Sequence, residues 1–347
     1  MPGMTRRHAT AASNEPAKRA LRGNLLSLPW PPLLSLLLFS GCQEGNRLDS
    51  DSPAPPGSAQ TAPSRPSPGP PGKPSPPPAG ERHLLAYRNA IYKPGTRLEF
   101  NRVVNVRDAK VLVVSPKEKL TGTTRSTQTL TFIVDIVSEQ RVQVLVQTDR
   151  EEGTQSIGPN LKPLRQRVGI LEGKTVIFNL RDAEWSPELD QRQVKGGASV
   201  IRFVREILAR KSDSLLYGLS PRAVGESWTA DPRHVPALGG TREKATGSGA
   251  MRLEFRGVEK EHGTDCAILV GRVNITSSDA LTGKTTREGT IRVARSLTHL
   301  ADLSVAFDGQ MEVTGSPATG LTISTTGPYE MTQQLRITAP AGNAESP

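Results

Sequence analysis

Apolar and polar side chains alternate along most of the chain after residue 83, which is the pattern of half-buried β-strands. The clearest runs place Leu130, Phe132, Val134 and Ile136 on one face of a first strand, and Val142, Val144 and Val146 on one face of a second. Only the short segment 138–140 separates the two runs, so they predict an antiparallel hairpin. Ile133 and Leu145 fall on the opposite faces, which indicates a hairpin partly covered on both sides.

Similar runs occur on both sides of one segment that breaks the pattern. Before it they are Arg97–Val106, Lys110–Val114 and Thr175–Leu180, and after it Met251–Phe255, Asp265–Asn274, Thr286–Val293, Leu303–Val313, Leu321–Thr325 and Met331–Thr338. Glycine-containing turns separate the later runs. Aromatic residues make up only 4% of the chain, so Val, Leu and Ile must form the core, and β-branched side chains favour strands.

The segment that breaks the pattern, residues 197–211, predicts an amphipathic helix. Its apolar side chains at helical spacing are Val200, Ile201, Val204, Ile207 and Leu208. Ser199 is a candidate N-cap, and Arg210 and Lys211 suit the negative end of the helix dipole. We expect this helix to cover a sheet, and the alternative is a basic helix that lies on a membrane.

The order of strands, one helix and strands predicts an α+β, mostly β domain, with antiparallel sheets and the amphipathic helix packed on one face. One sheet or two both fit this order, and an open half-barrel is one form that such sheets take. We place the folded domain at residues 83–340, with halves 83–195 and 220–340 on either side of the helix. Residues 341–347 are expected to form a disordered tail.

The N-terminus has the three parts of a secretory signal. A basic stretch is followed by the short apolar run Leu33–Phe39 and by small residues. The sequence Leu38-Phe39-Ser40-Gly41-Cys42 resembles the lipobox of bacterial lipoproteins, although Phe39 stands where that motif usually has Leu. The resemblance implies cleavage of residues 1–41 between Gly41 and Cys42 and acylation of Cys42 with fatty acids such as palmitate. An ordinary signal peptide is the alternative.

Residues 42–82 predict a disordered linker behind the lipidated cysteine. Twelve of the 29 prolines fall between Pro53 and Pro78, and few apolar side chains are available to bury. Proline favours an extended polyproline II chain, so the linker is expected to act as a spacer. Since two acyl chains anchor a protein stably, the partner expected here is a membrane bound through the lipid anchor. Gln43, by resemblance to other lipoproteins, favours the outer membrane if the cell has two.

Net charge and cysteine content narrow the function classes. The chain carries a formal charge of +10, of which a chain beginning at Cys42 keeps +6. No run of five basic residues occurs and aromatic residues are few, so we expect no nucleic-acid partner. Cys266 is the only cysteine besides Cys42, so a disulfide framework is excluded if Cys42 is acylated. Cys266 lies in an apolar run and is expected to be a small buried side chain rather than a reactive thiol.

Two segments resemble uncharacterised families of envelope lipoproteins. They are Tyr92-Lys93-Pro94-Gly95 and the Pro221 to Trp228 segment with Val224-Gly225-Glu226-Ser227, together with the late run of strands separated by glycines. At the level of fold, the pattern is similar to the open half-barrels of periplasmic lipoprotein carriers, which hold acyl chains on a concave sheet. These resemblances imply an envelope location, with the domain facing the periplasm or the cell surface, and no catalytic residue.

Motifs for catalysis and cofactors do not appear. Gly173-Lys174-Thr175 and Gly283-Lys284-Thr285 have the end of a phosphate-binding loop, but Val168 and Ser278 stand where it needs glycine. Thr229 stands where a nucleophile elbow around Ser227 needs glycine. The five histidines show no metal-ligand spacing. We therefore predict no cofactor, no metal and no catalytic residue.

The sequence thus predicts a non-enzymatic envelope lipoprotein with a β-rich binding or structural domain. A cavity between the sheet and the helix is expected to hold a lipid or another apolar ligand, with Val200, Ile201, Val204, Ile207 and Leu208 as its contacts. One alternative is a hydrolase of envelope polymers, which needs acidic or Ser and His groups that converge in a cleft. The other is an interaction module that pairs an exposed strand edge with a protein partner.

Overall fold

The computed structural model describes residues 80–86, 92–157, 160–163, 166–210, 212–234, 246–279, 283–318 and 320–339. The predicted signal peptide, the predicted cleavage site at Gly41 and Cys42, most of the predicted linker and the tail 341–347 lie outside these residues. The predicted domain boundaries therefore stay predictions.

Fifteen strands are described. Before the helices they are β1 (Arg82–His83), β2 (Arg97–Val114), β3 (Lys119–Ser138), β4 (Arg141–Ile157), β5 (Asn160–Pro163), β6 (Arg167–Val168), β7 (Thr175–Arg181) and β8 (Glu184–Pro187). After the helices they are β9 (Arg222–Ala223), β10 (Ser227–Ala230), β11 (Thr246–Glu261), β12 (Thr264–Asp279), β13 (Gly283–Ser296), β14 (Asp302–Ala318) and β15 (Leu321–Thr338). The predicted mostly β, α+β fold is confirmed.

Both sets of strands belong to one antiparallel sheet. Its order is β10-β11-β12-β13-β14-β15-β2-β3-β4-β7-β8, with β5 and β6 added beside β4, while β1 and β9 form a separate pair. The last strand, β15, returns to pair with β2 and so joins the two halves. Strands β8 and β10 end this path and do not pair with each other, so the described sheet is open.

The alternation in the sequence corresponds to an inner and an outer face of this sheet. Leu130, Phe132, Val134 and Ile136 of β3 are buried, and the last three are paired with Val146, Val144 and Val142 of β4. The predicted hairpin is thereby confirmed. We call the face that carries these side chains the inner face.

A bulge in β2 explains why this strand looked like two in the sequence. Its register with β3 shifts between Val106 and Ala109, where Asp108 has a positive φ of 45°. Its register with β15 shifts at the same place, between Thr326 and Tyr329, while β15 stays in regular register with β14 there, so the extra residue belongs to β2. A Cβ atom on Gly327 would lie 2.5 Å from the Ala109 Cα, so this close approach of the two backbones requires glycine. The bulge interrupts the alternation of β2 without ending the strand.

Three helices interrupt the described strands between β8 and β9. They are α1 (Gln191–Gly196), α2 (Ala198–Ala209) and α3 (Asp213–Tyr217), and a 3-10 turn follows at Pro232–His234. Helix α2 is the predicted amphipathic helix. The predicted Ser199 N-cap is wrong: Gly197 is the N-cap and makes no side-chain cap bond, because α1 leads directly into α2. Arg210, with φ of 49°, ends the helix.

The inner face carries two apolar clusters. The first, which we call the helix core, packs α2 against β2, β3, β4 and β7, and it includes Phe100, Phe132, Phe178, Phe203 and Val204. The Phe100 and Phe132 rings stack with centroids 4.5 Å apart. The second, the distal core, packs Leu85 and α3 against β11 to β15. A smaller cluster holds Cys266, which is fully buried as predicted, and burial raises the pKa of its thiol.

A buried arginine ties α3 and the N-terminal segment to the sheet. The Arg295 guanidinium donates to Asp302 Oδ1 at 2.6 Å, to Asp213 Oδ2 at 2.7 Å and to the Leu85 carbonyl. Its Cζ also lies 4.1 Å from the centre of the Tyr217 ring. Burial opposes the charge of Arg295, but the carboxylates of Asp302 and Asp213 outweigh it and raise its pKa. This network has the geometry of a structural tie between distant segments.

Candidate functional site

The five side chains predicted to contact an apolar ligand pack into the helix core. Val200, Ile201, Val204 and Leu208 are buried, and Ile207 is partly buried against the same cluster. A void beside Leu208, lined also by Tyr92, Ile136, Val142 and Trp185 among others, measures only about 10 Å³. That is room for about one water molecule. Side chains therefore occupy the space under α2, and ligand binding there stays a prediction that requires the helix to move.

Polar side chains interrupt the inner face at the edge of this core. Backbone pairing across four neighbouring strands sets Leu130, Arg102, Gln333 and Val305 side by side in one row. Arg102 thus occupies an inward position between Phe100 and Val104 of β2, both of which are buried. Gln333 occupies the equivalent position between Met331 and Leu335 of β15. The inward-facing rows of β2 and β15 are thus interrupted by Arg102 and Gln333, which are Cα partners of each other.

Aromatic rings position three arginines in this region, which we call the arginine seam: Arg102, Arg202 and Arg287, with Glu206, Phe203, Gln333 and Tyr329. The Cζ atoms of Arg102 and Arg202 lie 4.8 and 5.1 Å from the Phe203 ring centre. The Arg287 Cζ lies 5.2 Å from the centre of the Tyr329 ring.

Glu206 brings a carboxyl group into the seam from α2. The Arg202 Nε lies 3.9 Å from Glu206 Oε1, too far for a hydrogen bond. Both carboxyl oxygens of Glu206 are buried and have no hydrogen-bond partner. Burial raises the pKa of Glu206 to about 7, against the lowering effect of Arg202 and Arg102. Glu206 is therefore a carboxyl group that changes its charge near neutral pH.

The arginines of the seam also act on one another. Burial lowers the pKa of Arg102, the charges of Arg202 and Arg287 lower it further, and Glu206 has the opposite effect. The surrounding Phe100, Val104 and Met331 are apolar and buried. The seam is thus a charged group set among apolar side chains of the inner face.

The sequence analysis missed the seam, although one signal was available. Arg102 and Gln333 sit at inward positions of strongly alternating strands, which is where a polar residue is unusual. Arg202 and Glu206 looked like an ordinary i, i+4 pair on the exposed side of a helix. The alternation gives no sign that the Phe203 ring contacts both Arg102 and Arg202, because Arg102 lies on a strand about a hundred residues earlier in the sequence.

Two buried acidic residues lie on the inner face of β4. Asp149 and Glu151 are both buried, and Glu151 is the Cα partner of Gln128 on β3. Burial raises the pKa of Asp149, and the charge of Arg167 opposes this effect. A Cβ atom on Gly169 would collide with the Asp149 carboxyl group, so the loop after β6 closes over this acid. Asp149 and Glu151 are thus two buried acidic side chains on one face of the sheet.

The outer face and the edges offer two further surfaces. An open groove of about 510 Å³ crosses β11, β12 and β13, where the exposed Arg252 and Arg272 are Cα partners and Glu288 also lies at the surface. The edge of β11 beyond β10 has a bulge between Phe255 and Gly257 and the half-exposed Val258. A bulge and charged neighbours weaken an edge as a pairing template.

Membrane spans and metal sites were sought within the described ranges. None of their helices is long and apolar enough to cross a membrane. No three His, Cys, Asp or Glu side chains in those ranges gather closely enough to hold a metal ion. The lipidation site Cys42 and the cleavage residue Gly41 lie outside the part of the chain that the structure describes, so both stay predictions.

Comparisons with known proteins return distant structural likenesses only. No protein-family model matches the sequence, and no curated protein matches it. The sheet is similar to lipovitellin, solved for its lipid–protein interactions, at 6% identity and a TM-score of 0.28 over 74% of this chain and 26% of that one. This chain thus spans about a quarter of the lipovitellin chain.

Two bacterial proteins are also similar. An exported protein with a YmcC-like fold from Bacteroides fragilis matches at 11% identity and a TM-score of 0.18, over 72% of this chain and 99% of that one. A DUF1329 family protein from Desulfovibrio piger matches at 8% identity and a TM-score of 0.11, over 72% and 88%. At these TM-scores none of the likenesses establishes a shared fold or family.

Proposed function

We propose that the chain is a lipoprotein of the cell envelope, tethered to a membrane through Cys42, whose β-rich domain binds an apolar ligand on the inner face of the sheet. The domain performs no chemical step in this proposal. Residues 42–82 hold it away from the membrane, and α2 covers the binding surface. The lipobox-like segment Leu38 to Cys42 supports the membrane tether. The interface between α2 and the sheet supports the bound ligand.

The main support for a bound ligand is that several buried polar atoms at this interface have no hydrogen-bond partner. Most buried polar atoms in proteins have a hydrogen-bond partner, and exceptions call for a physical reason. Here Arg202 Nε and both carboxyl oxygens of Glu206 are buried without one, on the helix that covers the apolar face. Such atoms make the closed interface less stable than its apolar contacts alone. Helix α2 is therefore suited to move when a ligand replaces it.

Binding of an uncharged, environment-sensitive dye such as Nile red to the full chain with Cys42→Ala tests this proposal. We expect saturable fluorescence at about one dye per chain, with competition by monoolein. Leu208→Ala enlarges the void under α2 and should strengthen dye binding several-fold, because apolar cavities accept apolar ligands. Val168→Ala, at a side chain that is 55% exposed, is the matched control and should change nothing. Absence of saturable binding to the wild-type domain would refute the proposal.

A hydrolase of envelope polymers is the second candidate, since Asp149 and Glu151 share one buried face and burial raises the pKa of Asp149. Carboxyl groups with different ionisation in one cleft are the requirement for acid–base hydrolysis. Release of soluble fragments from envelope polysaccharide, lost in Asp149→Asn and kept in Asp135→Asn, would favour it. No release by the wild-type chain would remove this candidate.

A further inference from the structure

Three exposed apolar side chains lie close together in one short segment, residues 215–224, which we call the apolar loop. Leu215 is 58% exposed, and Leu219 and Val224 are each 39% exposed. Among the described residues, the six other large apolar side chains that are exposed each lie on a different strand or helix. Single exposed apolar side chains are ordinary, whereas a group of them marks a contact surface.

Hydrogen bonds hold the apolar loop in one shape. The Trp228 indole donates to the Leu216 carbonyl at 2.8 Å. Arg222 donates to the Tyr217 carbonyl at 3.4 Å and to Glu226 Oε1 at 2.5 Å. The Arg222 guanidinium carbon also lies 4.7 Å from the centre of the Trp228 ring. An ordered backbone therefore presents the exposed side chains, so their burial against a partner costs little conformational entropy.

The chain from the predicted linker enters the domain at this loop. Strand β1 pairs with β9, which belongs to the loop, and Arg82 is the Cα partner of Ala223. The Arg82 side chain also donates to the Pro221 carbonyl at 3.4 Å, and Leu85 beyond it is fully buried. The end of the linker is therefore fixed beside the exposed apolar side chains.

The linker keeps the apolar loop within reach of the membrane that holds the tether. A chain of about 40 residues extends to about 120 Å at most, and its relaxed length is shorter. Tethering turns contact with that membrane into an intramolecular step, so a weak surface contact suffices. Apolar side chains that enter the boundary between headgroups and acyl chains supply such a contact.

We propose that the apolar loop docks on the tethering membrane, with Leu215, Leu219 and Val224 inserted at the boundary between headgroups and acyl chains. This inference rests on the lipid tether of the proposed function and adds a second contact with the same surface. The linker lets the domain stand away from the membrane. Docking gives the domain one orientation, in which the β1 and β9 pair faces the lipid.

Quenching by nitroxide lipids measures this insertion on the acylated chain. Leu219→Cys is purified from bacterial membranes, labelled with the fluorophore NBD and reconstituted into vesicles of phosphatidylethanolamine and phosphatidylglycerol that contain nitroxide lipids. Acylation occupies the Cys42 thiol and burial protects Cys266, so the label attaches at position 219. Val168→Cys, at a side chain on β6 that is 55% exposed, is the matched control. We expect quenching to be several-fold stronger at 219 than at 168.

Replacing Leu215 and Val224 with serine in the labelled chain should weaken the quenching several-fold, because serine brings little apolar surface to the lipid. Salt at about 0.5 M should leave the quenching unchanged, because the contact is apolar rather than ionic. Circular dichroism and urea midpoints of each variant establish that it is folded.

The outcomes separate this inference from the proposed function. Equal quenching at both positions would overturn membrane docking, leave a protein partner as the occupant of the loop and leave the tether standing. Serine variants with unchanged quenching, or a loss of quenching in salt, would overturn apolar insertion in the same way. An unmodified Cys42 in the intact mass would overturn the tether of the proposed function and this inference with it.

Discussion

Replacing Glu206 with glutamine should stabilise the domain at alkaline pH, because the folded chain holds this carboxyl group in an environment that disfavours its charge. Burial raises the pKa of Glu206 to about 7, from an ordinary 4.5. A difference of this size between the folded and the unfolded chain corresponds to about 3 kcal/mol at a pH above both values. Glutamine has nearly the same shape and no charge, so Glu206→Gln removes this cost with little change in side-chain volume.

The sign of the pH dependence follows from proton binding. Between about pH 4.5 and 7 the folded chain keeps the Glu206 proton while the unfolded chain releases it. The stability that this group contributes is therefore fully present below pH 4.5 and is lost as the pH rises to 7. Wild type and Glu206→Gln should have similar free energies of unfolding at pH 4, and the variant should be more stable by up to about 3 kcal/mol at pH 8.

Urea denaturation at pH 4, 6 and 8 measures this difference, provided that the slope with denaturant stays constant between the two proteins. Glu172→Gln is a control of opposite sign. Hydrogen bonds from Arg150 lower the pKa of Glu172, so that variant should lose stability at pH 8. A Glu206→Gln protein that is less stable than wild type at pH 8 would refute the reasoning. It would mean that attraction by Arg202 and Arg102 outweighs burial.

Three further substitutions test the packing of the fold by urea denaturation. Arg295→Met leaves the largely covered carboxylates of Asp302 and Asp213 without their shared cation and should cost about 3 kcal/mol, and a loss below about 1 kcal/mol would contradict the structural role of this network. Leu208→Ala should cost about 2–5 kcal/mol because it empties part of the helix core, and an unchanged midpoint would show that α2 is not packed there. Gly327→Ala forces a methyl group against Ala109 and should lower the free energy of unfolding by more than about 1 kcal/mol. Gly257→Ala places its methyl group in open space and should change that free energy by no more than about 0.5 kcal/mol. Equal effects of the two substitutions would contradict the bulge geometry.

The elements that the sequence predicts well are those in which one face of a strand or helix is buried throughout. The 130–146 hairpin and the apolar face of α2 follow from the spacing of apolar residues alone, because burial of one face imposes a regular spacing on the sequence. Prediction failed where a local backbone feature interrupts the period. At Asp108 a bulge shifts the alternation within one strand, and the sequence was therefore divided into two strands.

Long-range polar contacts explain the rest of the difference. Arg295 occupies a position on β13 that alternation marks as inward, but its partners come from Leu85, Asp213 and Asp302. A period of two residues carries no information about such partners. The same holds for Arg102, whose ring contact with Phe203 depends on where α2 settles on the sheet. Both sites show up in the sequence only as polar residues in apolar positions.

The central claim, a binding domain tethered to a membrane by a lipidated cysteine, is tested most directly by intact mass spectrometry. The full chain and its Cys42→Ala variant would be expressed in a bacterial host, and each would be purified from the membrane and the soluble fractions. The account predicts a membrane-bound chain that begins at Cys42 and carries acyl groups, and a variant that lacks the acyl mass. A mature chain with an unmodified Cys42, or one cut at another position, would contradict the account.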